Sequence, residues 1–168
     1  KPILDSLGID KNKPEKQQRN QTGCPILEEG DILLNTTLAE TNDWQQVDLP
    51  VVRTLRHFCI ETLSSYTEDN QACISEVDLL DDKGQPMDKT KWEVVYISSE
   101  QADKNLGVAE NLFDGDISSF WHTDPATEPG QPHRIIVDIK EIYKISALRF
   151  KVRKGAFLSG KVKEINVY

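Results

Sequence analysis

Short runs in which apolar and polar residues alternate follow one another along the chain from Ile26 onward. A period of two is typical of strands that bury one face. The pattern predicts eight strands, at 32–38, 44–49, 53–63, 73–80, 92–98, 134–139, 145–152 and 161–168. One short helix is predicted over 101–112, with Ala109 and Leu112 facing inward. Short strands at this spacing favour an all-β fold, an antiparallel β-sandwich or jelly roll of about eight strands.

The first 25 residues have a different composition from the rest of the chain. From Lys11 to Gln21 there is no apolar residue, which is typical of a linker or disordered arm. We therefore predict an arm over 1–25 and one domain over 26–168. A chain of 168 residues is long enough to bury a single core.

The charge balance excludes some classes of partner. The chain has 28 acidic and 20 basic residues, a net charge of −8. Nucleic acids and anionic membrane surfaces are bound by clustered Lys and Arg, so neither is a predicted partner. No apolar run approaches the ~20 residues of a membrane span, so no membrane insertion is expected. Neutral ligands remain compatible, as do cations held by carboxylates.

Motifs of catalysis are missing from the sequence. There is no Gly-x-Ser-x-Gly, no His-Glu-x-x-His, no phosphate-binding glycine loop and no Cys-x-x-Cys, and the three histidines have no metal-ligand spacing. These absences favour a protein that is not an enzyme. Cys59 and Cys73 lie in strand-like stretches and are compatible with either a disulfide or two buried free thiols.

The segment from Asn111 to Thr123 is the most specialised part of the chain. Asp114 and Asp116 bracket Gly115, so a tight turn can direct several oxygens at one centre, which suits a hard cation such as Ca²⁺. A surface turn without metal is the alternative. His122 follows just beyond and would lie at the rim of this turn. Such a loop can recognise a ligand without reacting with it.

Several motifs carry a family resemblance: 92–100, 109–116, 120–123, 132–139, 145–150 and 160–168. In this order they resemble the first half of a discoidin domain, the coagulation-factor C-type domain. Within that superfamily the chain is most similar to bacterial galactose-binding-like carbohydrate-binding modules, which are often appended to secreted glycoside hydrolases. The resemblance implies a jelly-roll β-sandwich.

The second half of the family pattern lies ahead of the first. Residues 55–65 resemble the penultimate long strand of the family, and 72–79 resemble its closing strand. One explanation is a circular permutant, and the other is the end of one domain followed by the start of another. We favour permutation, because an isolated half-sandwich would expose a sheet face and unpaired strand edges.

The resemblance implies a structural Ca²⁺ site. Asp114 and Asp116 match its acidic ligands, and Ser119 stands where Thr is usual. Glu76 matches the glutamate that the closing strand contributes, and the carbonyl of Leu112 would add a ligand.

The resemblance also implies sugar-binding residues. Glu100, His122 and Arg153 match positions that hydrogen-bond sugar hydroxyls, and their chemistry fits a pyranose edge. Alternatively, Glu100 is an ordinary solvated carboxylate and Arg153 part of an exposed edge. Ser159 stands where sugar binders usually carry Asn. Gln71 stands near the usual aromatic platform, for which Tyr66 or Phe157 could substitute.

Three functions follow from these expectations. The first is a non-catalytic carbohydrate-binding module that binds galactose-type sugars weakly, accessory to a secreted or surface glycan-degrading system such as a larger glycoside hydrolase. The second is a protein- or cell-surface-adhesion module of the same fold. An enzyme is the third. The resemblance implies an extracellular, cell-surface or periplasmic location.

Overall fold

The structure, a computed structural model, describes residues 28–67, 69–126, 130–153 and 160–168. The predicted arm over 1–25 and the predicted ligand residue Ser159 lie outside these ranges, and so does Phe157. Among the described residues, no helix has the length and apolar character needed to cross a membrane.

Every named element of the described chain is a strand or a short 3-10 turn, which confirms the all-β prediction. The eight strands are β1 (Leu34–Thr37), β2 (Trp44–Thr62), β3 (Cys73–Ile74), β4 (Glu76–Asp81), β5 (Glu93–Ile97), β6 (Trp121–His122), β7 (His133–Lys151) and β8 (Glu164–Val167). Single 3-10 turns occur at Glu29–Asp31, Asp103–Asn105 and Ala109–Phe113.

All named strands pair antiparallel in two sheets. The larger sheet has the order β1-β8-β2-β7-β4, and β5 pairs with β7 as well. The smaller sheet consists of β3 and β6, with Cys73 opposite His122. Strands β2 and β4 therefore lie in the same sheet as β5 and β7, so both parts of the family pattern belong to one sandwich. The exchange of their order by permutation stays a prediction.

Two of the observed strands each join two predicted ones. Strand β2 contains 44–49 and most of 53–63, and β7 contains 134–139 and most of 145–152. The register between β2 and β7 shifts at Asp48/Arg53 and again at Leu55/His57. Such bulges let a strand bend without ending. The strand boundaries predicted at these bends were therefore wrong.

The predicted helix over 101–112 was also wrong, because two separate 3-10 turns occupy this stretch. Lys104 and Asn105 have positive φ, which ends the first turn before a helix can propagate. Ala109 and Leu112 nevertheless face the core, as predicted, with exposed fractions of 0% and 1%.

One apolar core draws on both parts of the chain. Ile60 and Leu79 lie in the segments that resemble the second half of the family pattern. They belong to the same apolar cluster as Trp121, Phe150 and Ile165, which lie in the segments that resemble the first half. Cys59 and Cys73 are both buried and are not joined in a disulfide, so the structure favours two buried thiols over the disulfide alternative.

Gly160 lies where β8 approaches the small sheet. Its φ is +74°, and an added Cβ would lie 2.9 Å from the carbonyl carbon of Ala72. Its own carbonyl accepts a hydrogen bond from the Cys73 amide. The position therefore requires glycine both for its backbone conformation and for the close approach.

Gly160→Ala should destabilise the protein more than Gly84→Ala does. Gly84 has a similar φ of +76° with nothing within 4 Å of an added Cβ, so it reports the conformational cost alone, about 1–2 kcal/mol. Crowding against Ala72 should add at least about 1 kcal/mol at position 160. Urea unfolding of both variants measures this difference, and equal losses would contradict the close-approach argument.

Candidate functional site

An open cleft of about 790 Å³ lies beside the 111–123 loop. Its lining combines residues from the loops at 101–106 and 117–125 with the end of β7. The lining residues are Ser75, Gln101, Leu106, Ile117, Ser118, Phe120, His122, Pro125, Lys151 and Arg153. Two of the predicted sugar-binding residues, His122 and Arg153, thus line one cleft.

His122 is held in place from several sides. It belongs to β6 and is 4% exposed. Its Nδ1 lies 2.5 Å from the Thr123 carbonyl oxygen, and because a carbonyl only accepts, Nδ1 carries the proton. The His122 amide donates to the Gly107 carbonyl, and a Cβ on Gly107 would lie 2.9 Å from the His122 Cβ. Gly107 therefore allows the 101–107 loop to pack directly on the histidine.

Arg153 is stacked on an aromatic ring. Its guanidinium carbon lies 3.7 Å from the centroid of the Phe120 ring, and that ring lies 6.4 Å from the imidazole of His122. The positive charge of Arg153 also acts on the nearby Cys73 thiol and by itself lowers its pKa. Burial raises the pKa of that thiol to about 12, so the thiol stays neutral and leaves the charge of Arg153 uncompensated.

Lys151 adds a second positive charge to the cleft. Its Nζ donates to the Asn42 carbonyl oxygen at 2.7 Å and lies 6.0 Å from the centroid of the Trp44 ring. In the described part of the chain, neither Lys151 nor Arg153 forms an ion pair with a carboxylate.

Glu100, the third predicted sugar ligand, braces the loop. Its side chain is 7% exposed, and Oε2 accepts a hydrogen bond of 2.9 Å from the Ala109 amide at the start of a 3-10 turn. Its neighbour Gln101 lines the cleft, whereas Glu100 is not among the lining residues. The solvated carboxylate considered as an alternative does not describe this buried group.

The residues considered as aromatic-platform positions have other roles. The Gln71 side chain accepts from the Thr123 hydroxyl at 2.7 Å. The Tyr66 hydroxyl donates to the Leu38 carbonyl oxygen at 2.7 Å. Phe120 is the aromatic ring that lines the cleft.

The Asp-Gly-Asp turn forms a closed set of short contacts. The Ser119 hydroxyl lies 2.7 Å from Oδ2 of Asp114, whose Oδ1 accepts from the Asp116 amide at 2.8 Å. Oδ1 of Asp116 accepts from the amide and hydroxyl of Ser118, and these bonds lower the pKa of Asp116. Asp114 and Ser119 therefore share one centre, while the Asp116 carboxylate binds Ser118.

Glu76 reaches this turn from β4. Its side chain is 1% exposed, and Oε1 accepts from the Gly115 amide at 3.2 Å. Oε2 is buried and has no hydrogen-bond partner among the described residues. The pKa of Glu76 is raised to about 7, chiefly by burial and also by the nearby Asp114 charge, while Lys89 and the Gly115 amide oppose the shift. A buried carboxylate oxygen without a donor favours a bound cation.

Lys89 already supplies one positive charge beside Glu76. Its ammonium contacts Oε1 of Glu76 and lies 2.6 Å from Oδ1 of Asp78 and 3.1 Å from the Val77 carbonyl oxygen. The oxygens of Glu76, Asp114 and Ser119 are of the hard type that Ca²⁺ prefers, so the residues fit this ion. No group of three or more His, Cys, Asp or Glu in metal-binding arrangement occurs within the described ranges, and the remaining ligands would be hydroxyl and carbonyl oxygens.

The turn and the cleft share a wall. Ile117 and Ser118, which lie between Asp116 and Ser119, line the cleft. Asn111 fastens the two ends of the loop, because its Nδ2 donates to the Phe120 carbonyl oxygen at 3.0 Å. A displacement of the turn would therefore also displace the residues that line the cleft around His122.

Sequence reasoning missed three residues of the cleft: Gln101, Phe120 and Lys151. A signal existed for two of them, since Phe120 precedes His122 by two positions and Lys151 precedes Arg153 by two. Residues two apart in an extended chain project to the same side.

Comparison with known proteins agrees with the motifs. The family model of the F5/8 type C domain matches residues 88–168. A sialidase from Micromonospora viridifaciens is 35% identical over 72 residues, which are 42% of this chain and 11% of that protein. The chain thus spans only about a tenth of the relative's length. Residues 88–168 of the chain are therefore similar to the F5/8 type C domain, the discoidin family that the motifs resemble.

Proposed function

We propose that this chain is a non-catalytic carbohydrate-binding module that binds a galactose-type sugar in the cleft beside the 111–123 loop. The observation that carries the proposal is the grouping of His122 and Arg153 around Phe120. A guanidinium donates two parallel hydrogen bonds, and an imidazole with a protonated Nδ1 presents Nε2 as an acceptor. Adjacent sugar hydroxyls offer the matching acceptors and donors.

The chemistry of the cleft supports binding without reaction. The thiol closest to Arg153 belongs to Cys73, and its raised pKa of about 12 keeps it protonated at neutral pH, so it is a poor nucleophile. An open cleft also buries little ligand surface, so we expect weak affinity.

The similarity to a sialidase supports an accessory role. A module that accounts for about a tenth of such a protein is suited to holding it on a glycan while another part reacts. We propose that the chain acts in this way within a glycan-degrading system, at the cell surface, in the periplasm or outside the cell.

We also propose that the Asp-Gly-Asp turn binds a structural Ca²⁺. Asp114, Asp116, Ser119, Glu76 and the Leu112 carbonyl are the proposed ligands. The unpartnered Oε2 of Glu76 supports the proposal, as does the contact between Asp114 and Ser119. The ion would hold the wall formed by Ile117 and Ser118, and it would contribute no contact to the sugar.

Arg153→Ala should weaken binding of galactose-terminated oligosaccharides roughly tenfold to hundredfold. The variant loses a charge-assisted hydrogen bond, on the order of 1.5–3 kcal/mol. Titration calorimetry on the parent protein and the variant measures the change. Arg53→Ala is the matched control, because Arg53 is exposed on β2 and does not line the cleft. Equal affinities for the parent protein and Arg153→Ala would remove the cleft as the binding site.

The adhesion alternative has one observation in its favour. Ile117 is 53% exposed at the rim of the cleft, and an exposed apolar side chain on a loop suits contact with a macromolecule. A glycan array on which no sugar binds, with or without calcium, would make adhesion the leading function.

A further inference from the structure

The charges of the cleft are opposite to those of the chain as a whole. The protein has 28 acidic residues and a net charge of −8, yet among the described residues no Asp or Glu lines the cleft, whereas Lys151 and Arg153 do. We propose that the cleft selects a sugar that carries a carboxylate, and that Lys151 and Arg153 bind this anion together. The inference rests on the proposed glycan-binding function and names the class of its ligand.

Most of the other half-buried cations in the described ranges are compensated by a carboxylate. Four of them lie within ion-pair distance of one: Lys89, Arg134, Arg149 and Lys161. The fifth, Lys163, has no ion pair there and lies 5.7 Å from the centroid of the Tyr66 ring, away from the cleft lining. Lys151 and Arg153 are half-buried too, but they have no such partner in the same ranges. A partly desolvated charge is costly unless an opposite charge compensates it. On an acidic chain, two adjacent uncompensated cations in one cleft indicate that a ligand supplies the anion.

The two cations are also oriented before a ligand arrives. The Phe120 ring fixes the plane of the Arg153 guanidinium, whose carbon lies 3.7 Å from the ring centroid. The bond from Lys151 to the Asn42 carbonyl uses one of the three ammonium protons and leaves two. A carboxylate accepts two hydrogen bonds from a guanidinium and still has lone pairs for an ammonium. Preorganised donors of this kind reduce the entropic cost of binding.

The acidic side chains nearby are directed elsewhere. Glu100 accepts from the Ala109 amide, and Asp116 accepts from Ser118. Asp69 binds the Gly160 amide. Each carboxylate is thus engaged by a backbone or hydroxyl donor, and repulsion of an anionic ligand is correspondingly reduced.

The decisive experiment compares acidic sugars with their methyl esters. The probes are a uronic-acid-terminated and a sialic-acid-terminated oligosaccharide, each beside its methyl ester, together with a neutral galactose-terminated oligosaccharide. We expect at least one acid to bind at least about tenfold more tightly than its own ester, because esterification removes the negative charge and leaves the sugar ring and its hydroxyls unchanged. The affinity for the acid should fall between 50 and 500 mM NaCl, whereas the affinity for the ester should not.

Variants assign the selectivity to Lys151. Lys151→Gln should reduce the ratio of acid to ester affinity by roughly tenfold or more, and Lys151→Arg should retain most of it. Lys144→Gln is the control, because Lys144 is exposed on the same strand β7 outside the cleft. The proposal is overturned if the neutral sugar binds while neither acid exceeds its ester, or if Lys151→Gln leaves the ratio unchanged. If none of the five probes binds, the glycan-binding function itself fails, and this proposal fails with it.

Discussion

Trp121→Ala should lower the free energy of unfolding by about 3–5 kcal/mol, the range for an aromatic residue removed from a packed core. Trp121 is fully buried and belongs to the core cluster that unites both parts of the chain. Its indole N–H also donates to the Ser99 carbonyl oxygen at 3.0 Å, so truncation leaves that carbonyl without its partner. Because whole domains are stable by only about 5–15 kcal/mol, the variant should lose a large share of its stability.

Urea unfolding followed by circular dichroism measures the loss. Trp121→Phe retains an aromatic ring in the core but loses the N–H donor and part of the ring volume. We expect this variant to lie between the parent protein and Trp121→Ala. Trp44→Ala is the control of matched size, since Trp44 is 37% exposed and should lose much less. A loss below about 1 kcal/mol for Trp121→Ala would contradict the placement of this residue in the core.

The fold was largely predictable because burial and strand period agree along most of the chain. The pairs of strands that the sequence separated, 44–49 from 53–63 and 134–139 from 145–152, are continuous through β-bulges. A bulge interrupts the alternation and looks like a loop in the sequence. Strand β6 has only two residues, too few for any period to show. Its pairing with β3 depends on the tertiary fold.

The candidate site was predictable where one motif carried several residues. Asp114, Ser119 and His122 share a single segment, and the structure places Asp114 and Ser119 in contact. Contacts between distant segments could not be foreseen in the same way. The family resemblance indicated Glu76 as a calcium ligand, but nothing in the sequence indicated that Lys89 would contact it in a buried position. Likewise, only the approach of β7 to the 117–122 segment shows that Phe120 supports Arg153.

Calcium should raise the stability of the protein by about 2.7 kcal/mol when the free ion is 100-fold above its Kd, since it binds the folded state alone. For a domain of this size, the gain corresponds to a Tm increase of roughly 5–10 °C. The structural reason is Glu76, whose buried Oε2 has no donor among the described residues and would gain a ligand bond. Differential scanning calorimetry in calcium and in chelator measures the shift. Magnesium should give a smaller Tm shift than calcium, because magnesium demands stricter coordination geometry and loses its bound water reluctantly.

Two substitutions should change the calcium effect in opposite directions. Asp114→Asn removes a charged ligand and should abolish most of the Tm shift, whereas Asp82→Asn, in the exposed turn after β4, should retain it.

Lys89→Met should lower the Tm in chelator, because Glu76 and Asp78 lose their cation. The same variant should show a larger calcium shift than the parent protein, since the ion no longer competes with an ammonium for Glu76. A calcium shift that is absent in both the parent protein and Lys89→Met would show that the turn holds no calcium.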